Sequence, residues 1–397
     1  MSKPTKAEQI DTLLTRGVED VIIAADLSTA LAGRRRLRVK FGIDPTGDKI
    51  HIGHAVVYWK LRQFQDLGHQ VIILIGDYTA LIGDNSDKLS ERQPITVDQV
   101  KLNLRHYLKQ IGSIIDLEKA EIRYNSEWLK KLSFLELLEL ASEFKVAQML
   151  ERDNFRDRYT NGKPIGLQEL LYPMMQGYDS VALRADVELG GNDQLFNMMA
   201  GRTLQKRAGQ SPQAVVVTQL LTGTDGKKMS KSQPNCIFIT DSPLEMYGKV
   251  MALSDDLIIH YYRLAADTPL STIDKIEQDL VLGSNPRDAK AGLAREIVSR
   301  YHGKNSVFDA EEAWEKQFRG GELPDDIEVY RADDKELADV VGLLANAFGV
   351  TKSEVRRLID QGGVKFDGSV LESSDSIRVK SGMVAQLGKR RFKTIQV

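Results

Sequence analysis

A chain of 397 residues exceeds what one hydrophobic core usually serves, so two or three domains are expected. Hydrophobic residues make up 42% and charged residues 28%, a globular balance, and a formal net charge of −2 excludes a general affinity for nucleic acid, so any basic face must be local. The sole cysteine, Cys236, excludes an internal disulfide or a site of several thiolates, and no apolar run approaches the roughly 20 residues of a membrane span.

The first stretch, MSKPTKAEQIDTLLTRGVEDVI, predicts one amphipathic helix without a signal-peptide core, the expectation for a cytoplasmic protein. RLRVKFGID (36–44) predicts a strand, DPTGDK a turn, and HIGHAVVYWKLRQFQDLGH a helix that Gly68 ends. QVIILIGD (70–77) predicts a buried strand, and strand–helix–strand at this spacing predicts a right-handed βαβ unit of a parallel sheet. Residues 95–180 show apolar spacings of three and four, as in SFLELLELASEF and VAQMLERDNF, and predict helices throughout. DVEL (186–189) and QAVVVTQLL (213–221) predict further strands, and the chain turns helical again after residue 240. GGELPDDIEVYRADDKE (320–336) predicts a linker before a last unit of about 60 residues.

His51 and His54 sit three residues apart at the first turn of the predicted helix. The other histidines are scattered, and no Cys, His or carboxylate cluster accompanies the pair, which argues against zinc. A polar turn satisfied by the rings is the plain alternative. The position suits more, because a helix N-terminus after a parallel strand attracts phosphate, and two rings at i and i+3 share a face. Gly53 between them lets a phosphate or a planar group approach the backbone. Neither G-x-x-x-x-G-K-[ST] nor a convincing G-x-G-x-x-G occurs in this unit. A second basic element, GTDGKKMSKS (223–232), places Lys228 and Lys231 on a Gly-bounded loop.

Together, HIGH at 51–54 and KMSKS at 228–232 resemble the two signatures of the class I aminoacyl-tRNA synthetases. The resemblance implies ATP in a Rossmann-like domain, with lysines neutralising the triphosphate as pyrophosphate leaves. An amino-acid carboxylate needs no general base to attack the α-phosphate, so positioning and charge stabilisation would carry the rate.

In YPMMQGYD (172–179), Tyr172, Gln176 and Asp179 fall at i, i+4 and i+7, one polar stripe of one helix, beside Pro173 and after the apolar LQELLYPMM. The stripe suits a binding pocket, and ELGGNDQ (188–194) follows with two glycines that permit close backbone approach. FGIDPTGDKIHIGH, ALIGDNSDKLSER, YPMMQGYD, GGNDQ and KMSKS resemble the tyrosyl-tRNA synthetases over nearly the whole chain. That resemblance implies that Asp179 receives a phenolic hydroxyl, with Gly42 beside it. It implies that Tyr172, Gln176, Asp84 and Gln194 hold the ammonium and carboxylate of the amino acid. Thr46, His51 and His54 would contact the phosphates, and Gly191 and Asp193 the ribose. Gly53, Met229 and Ser230 would line the ATP site, and Lys88, Arg92, Lys228 and Lys231 would meet pyrophosphate. ATP would arrive as its Mg²⁺ complex, with no protein-bound metal. The chain departs from the family pattern at Lys40, where many members carry tyrosine, at Glu188, often glutamine, and at Asn192, usually serine or threonine.

Residues 335–397 hold eleven Lys and Arg against seven Asp and Glu. TKSEVRRLIDQGG predicts a helix with Lys352, Arg356 and Arg357 off its apolar face, VKFDGSVLE a hairpin around Asp367-Gly368, and GKRRFKTIQV a basic strand carrying Lys389, Arg390 and Arg391. This order resembles an S4 RNA-binding domain and implies that these six cations contact tRNA. The expected architecture is α/β: a Rossmann-like parallel-sheet catalytic domain (1–238) with a helical insertion (about 110–165) as the homodimer interface. An α-helical domain for the anticodon region (239–325) and a small α+β S4-like domain (335–397) follow. The expected activity is tyrosine activation and transfer to tRNA(Tyr). Rival readings are the tryptophanyl enzyme, an RNA-binding homologue without catalysis, and a nucleotidyltransferase that acts on a small molecule.

Overall fold

The computed structural model describes residues 4–45, 49–83, 96–151, 153–229, 234–319, 327–332, 339–371, 373, 377, 379–388 and 391–396. Thr46, Asp84, Lys88, Arg92, Ser230, Lys231, Lys389 and Arg390 lie outside the described residues. The chain forms two compact units, Met1–Val307 and Phe308–Val397.

In the first unit, a capping box between Thr5 and Glu8 starts α1 (Lys6–Thr15), and Gly17, at φ +65°, turns the chain into β1 (Val18–Ile22). The single helix expected over residues 1–22 is thus a helix followed by a strand. β1 pairs antiparallel with the segment Ala214–Thr218, a distant partner to which local periodicity is blind. After α2 (Ala24–Ala32) come β2 (Arg38–Ile43), α3 (Ile52–Asp66) and β3 (Gln70–Ile75), with β2 and β3 parallel as expected. α4 (Val97–Ile111) leads to β4 (Glu121–Tyr124), parallel to β3. β4 corrects the expectation of helices throughout 95–180. EIRY alternates as a strand does, but four residues are too few to register against the helical pattern on both sides. α5 (Ser126–Leu129), α6 (Phe134–Ala141), α7 (Val146–Leu150), α8 (Asp153–Thr160) and α9 (Leu167–Leu183) form the helical segment. β5 (Val187–Gly191), α10 (Leu195–Arg207) and β6 (Ala214–Thr218) complete the sheet.

The strand order is β1-β6-β5-β2-β3-β4, parallel throughout except for β1. From β2 the chain steps outward through β3 and β4, then resumes on the other side of β2 with β5 and β6. A crevice therefore opens outside the carboxyl ends of β2 and β5, where the direction of winding reverses. β3 and β6 are buried almost residue for residue, the pattern of a sheet covered on both faces.

α11 (Pro243–Met251), α12 (Ile258–Ala265), α13 (Leu270–Val281) and α14 (Pro286–His302) belong to the same unit. Buried and half-buried cations cap helix ends within this unit. Lys60 donates to the carbonyls of Thr12 and Leu13, and Arg16 to those of Tyr262, Arg263, Ala266 and Thr268. The Arg300 guanidinium lies 3.8 Å from the centre of the Trp59 ring. The boundary expected at residue 238 thus falls inside one compact unit.

α15 (Asn305–Arg319) spans the division between the units. The second unit holds β7 (Val329–Arg331), α16 (Val340–Phe348), α17 (Lys352–Asp360), β8 (Val364–Phe366), β9 (Ser369–Val370), β10 (Val384–Leu387) and β11 (Arg391–Gln396), in the strand order β7-β11-β10-β8-β9. β7 lies within the stretch expected to be linker and pairs parallel with β11, so this small domain begins before residue 335. Its core is built from Leu343, Leu344, Val355, Val364, Phe366, Leu387 and Ile395. Asp367 and Gly368, both at positive φ, make the tight turn of the β8–β9 hairpin.

Candidate active site

His51 is the N-cap of α3, and its Nδ1 accepts the His54 amide N–H at 3.3 Å. The two rings stack at 3.6 Å, His51 buried and His54 exposed. A neutral His51 whose Nδ1 accepts carries its proton on Nε2, which makes that atom a donor. The Ile52 amide donates to the Ile237 carbonyl and the Ile239 amide to that of Ile50, which ties HIGH to the segment just after KMSKS. A side chain on Gly53 would lie 3.0 Å from His51 Nδ1 and 3.2 Å from Met229 Sδ. The glycine therefore lets the HIGH turn, which follows β2, come close to Met229.

Asn235 closes the neck of the lysine loop: its Nδ2 donates to Asp225 Oδ1 and to the Lys228 carbonyl. A Cβ at Gly223 would overlap the Asn235 side chain at 2.5 Å, so the neck requires glycine. Lys228 is exposed and Met229 buried. Among the described residues, His, Cys, Asp and Glu nowhere gather in threes that could hold a metal ion.

Between β2 and α9 the polar stripe lines a slot. Residues 40, 42 and 44 share one face of β2 and its continuation. At one end, Tyr172 Oη donates to Asp44 Oδ2 at 2.8 Å; at the other, Lys40 Nζ donates to the Gln176 carbonyl and to Ser180 Oγ. Gly42 between them is exposed, with nothing within 4 Å of where its Cβ would be.

Asp179 is buried. Trp128 Nε1 donates to its Oδ1 at 2.7 Å and Asn125 Nδ2 to its Oδ2 at 3.4 Å. Burial pushes its carboxyl up to about 7; the Lys40 ammonium and the Trp128 and Asn125 hydrogen bonds pull it down, and Glu188 adds to the rise. Thr79 joins the group, donating to Asp44 Oδ1 and accepting from Asn125 Nδ2. Asn197 Nδ2 donates to both Gln176 Oε1 and Gln194 Oε1 at 3.0 Å, while its own Oδ1 is buried without a partner. Gly191 and Asp193 lie at the carboxyl end of β5. Gly42, Tyr172, Gln176, Asp179 and Gln194 are thus brought together, with His51, His54 and Met229 forming a second group by β2. Asn125, Trp128, Thr79, Asp44, Asn197 and Asn235 were missed in the sequence. A lone Trp in a helical stretch was the one signal among them, and it reads equally as core.

The family model for class I tRNA synthetases of the tryptophan and tyrosine group matches residues 32–319. The chain is 47% identical over 383 residues to a tyrosine–tRNA ligase of Ralstonia nicotianae, covering 95% of this chain and 97% of that one. It is 46% identical over 387 residues to one of Moorella thermoacetica, covering 96% and 94%. The chain belongs to the tyrosyl-tRNA synthetase family. Solved tyrosyl-tRNA synthetases share the fold. A C-terminally truncated mitochondrial enzyme of Aspergillus nidulans superposes with a TM-score of 0.65 at 24% identity over 80% of this chain and 95% of that one. One of Archaeoglobus fulgidus complexed with L-tyrosine gives 0.60 at 22% over 78% and 99%.

Proposed function

We infer that this chain is a tyrosine–tRNA ligase, which turns tyrosine and Mg²⁺-ATP into tyrosyl-adenylate and pyrophosphate, then passes the tyrosyl group to the 3′-terminal adenosine of tRNA(Tyr). Asp179 carries the reading: a buried carboxylate on the helix that walls an open slot, in a chain whose full-length relatives are tyrosine–tRNA ligases. In this reading Asp179 accepts the phenolic hydroxyl, and Gln176, Gln194, Tyr172 and Asp84 meet the ammonium and carboxylate. Gly42 leaves room for the ring. His51, His54 and Thr46 donate to the phosphates, and Gly53, Met229 and Ser230 line the nucleotide. Gly191 and Asp193 take the ribose. Lys228, Lys231, Lys88 and Arg92 neutralise the departing pyrophosphate. ATP–pyrophosphate exchange with each of the twenty amino acids tests the assignment: tyrosine alone should support it, and tryptophan at equal efficiency would sink it.

No described helix is long and apolar enough to cross a membrane. The need for tRNA and ATP supports a cytoplasmic site of action. Phe134, Leu135 and Leu138 of α6 are 75%, 66% and 51% exposed, an apolar face that supports a second copy of the chain as its cover. Phe134→Asp/Leu138→Glu should turn a dimer into a monomer in analytical ultracentrifugation. A parent protein that sediments as a monomer would refute this interface.

Lys352, Arg356 and Arg357 are exposed on α17 while Val355 and Ile359 are buried, which suits a surface for the tRNA backbone, and Lys389, Arg390 and Arg391 later in the sequence would add to it. Because activation needs only ATP and tyrosine, a chain ending at Arg319, before β7, should keep tyrosine-dependent exchange. Its charging should fall through a higher KM for tRNA, and the intact enzyme's tRNA affinity should drop steeply with salt. Undiminished charging by the truncated chain would remove the tail from the tRNA contact.

A further inference from the structure

Two of the departures from the family pattern, Lys40 and Glu188, turn out to be partners. They are opposite each other in the parallel pairing of β2 with β5, and Lys40 Nζ lies 2.9 Å from Glu188 Oε1 with both side chains almost wholly buried. An ammonium has three N–H donors. Those of Lys40 go to Glu188, the Gln176 carbonyl (3.1 Å) and Ser180 Oγ (2.8 Å), so none is left for a phenol in the slot. Glu188 in turn accepts from Gln176 Nε2 at 3.2 Å, from Ser180 Oγ at 3.1 Å and from Gln213 Nε2.

A carboxylate can only accept. Glu188 therefore forces the Gln176 amide to point its NH₂ inward and leaves Oε1 beside Gln194 Oε1, where both meet Asn197 Nδ2. A glutamine at 188 could donate as well as accept and would leave that amide free to turn over. Lys40 in turn holds the Glu188 carboxylate in place, 2.9 Å from its ammonium. We propose that Lys40 and Glu188 are a positioning pair for the amino group of tyrosine: Glu188 fixes which face of the Gln176 amide the substrate meets, and Lys40 anchors Glu188 there. The proposal rests on the reading of Gln176 as an ammonium contact.

The deciding variant is Lys40→Met/Glu188→Gln, which removes both charges at similar volume and should fold, since buried ion pairs are replaced by neutral groups at little cost. In tyrosine-dependent exchange its KM for tyrosine should rise about tenfold, the scale of one misdirected charge-assisted hydrogen bond. Its kcat and its KM for ATP should stay within roughly threefold of the parent, because an ammonium contact holds ground and transition states alike. A parent-like KM for tyrosine, a parallel rise in KM for ATP, or failure to fold would each make the pair a structural fastener and overturn the proposal. Gln176→Ala, measured alongside, separates the two levels. If it leaves KM for tyrosine unchanged, the ammonium reading itself has failed. If it raises KM while the double variant does not, only the positioning pair has.

Discussion

Asp179→Asn is expected to lower kcat/KM for tyrosine by about 10–100-fold, the loss of a hydrogen bond to a charged acceptor, and to leave phenylalanine almost untouched. The parent's preference for tyrosine over phenylalanine should stand near roughly 10⁴–10⁵, a benchmark set by tyrosine-specific synthetases themselves. The pH dependence follows from the carboxyl's position at about 7. Below that pH the free enzyme holds Asp179 protonated, so kcat/KM for tyrosine should rise with pH through about 7 and then level off. Stability runs the other way. A carboxyl raised from 3.8 to about 7 contributes stability that is present below pH 4 and is lost as pH climbs to 7, at up to about 1.4 kcal/mol per unit. Asp179→Asn should therefore raise the thermal midpoint at pH 8 while it weakens tyrosine use. A midpoint that falls, or tyrosine kinetics flat from pH 6 to 8, would show that Trp128 and Asn125 hold the carboxylate fully ionised.

His51 joins two tasks that substitution can separate. As N-cap it holds the start of α3, worth about 1 kcal/mol, and in the proposed reaction its Nε2 proton meets charge that develops on the phosphates. His51→Ala should lose both: a lower thermal midpoint, and a kcat for exchange reduced by about 10²–10³ with little change in KM for tyrosine. His51→Asn keeps a capping oxygen without the ring donor, so it should restore most of the midpoint and little of the rate. His54→Ala should lower the rate without the capping loss, since the His54 contribution to the cap is its backbone amide. If His51→Asn recovers rate together with stability, the ring acts only as a cap.

What the sequence disclosed follows from how local each signal is. β3 and β6 are apolar runs buried on both faces, and such runs stand out in any window. β1, β4 and β7 are three to five residues long, and β1 and β7 pair with segments far along the chain, so nothing near them announces a strand. The stripe of Tyr172, Gln176 and Asp179 was visible because one helix carries it whole. Asn125 and Trp128, which orient Asp179, come from another helix and its cap, and their pairing exists only after folding. Lys40 and Glu188 were visible only as two separate departures. Each is an ionisable residue in an apolar strand, and only the pairing of β2 with β5 shows that each answers the other.

The pairing of Val18 with Thr218 also sets a timetable for the nascent chain. At a synthesis rate of about 5–20 residues per second, β1 leaves the ribosome roughly 10–40 s before β6 exists. Throughout that interval β2, β3 and β4 can assemble, yet β1, made before them, must be among the last to dock. The helix α1 just before it bridges the delay in part, because the bonds from Lys60 of α3 to its Thr12 and Leu13 carbonyls do not require β6. The amino-terminal segment is therefore moored early and zipped late, and a ribosome stalled anywhere between α3 and β6 would display β1 as an unpaired edge.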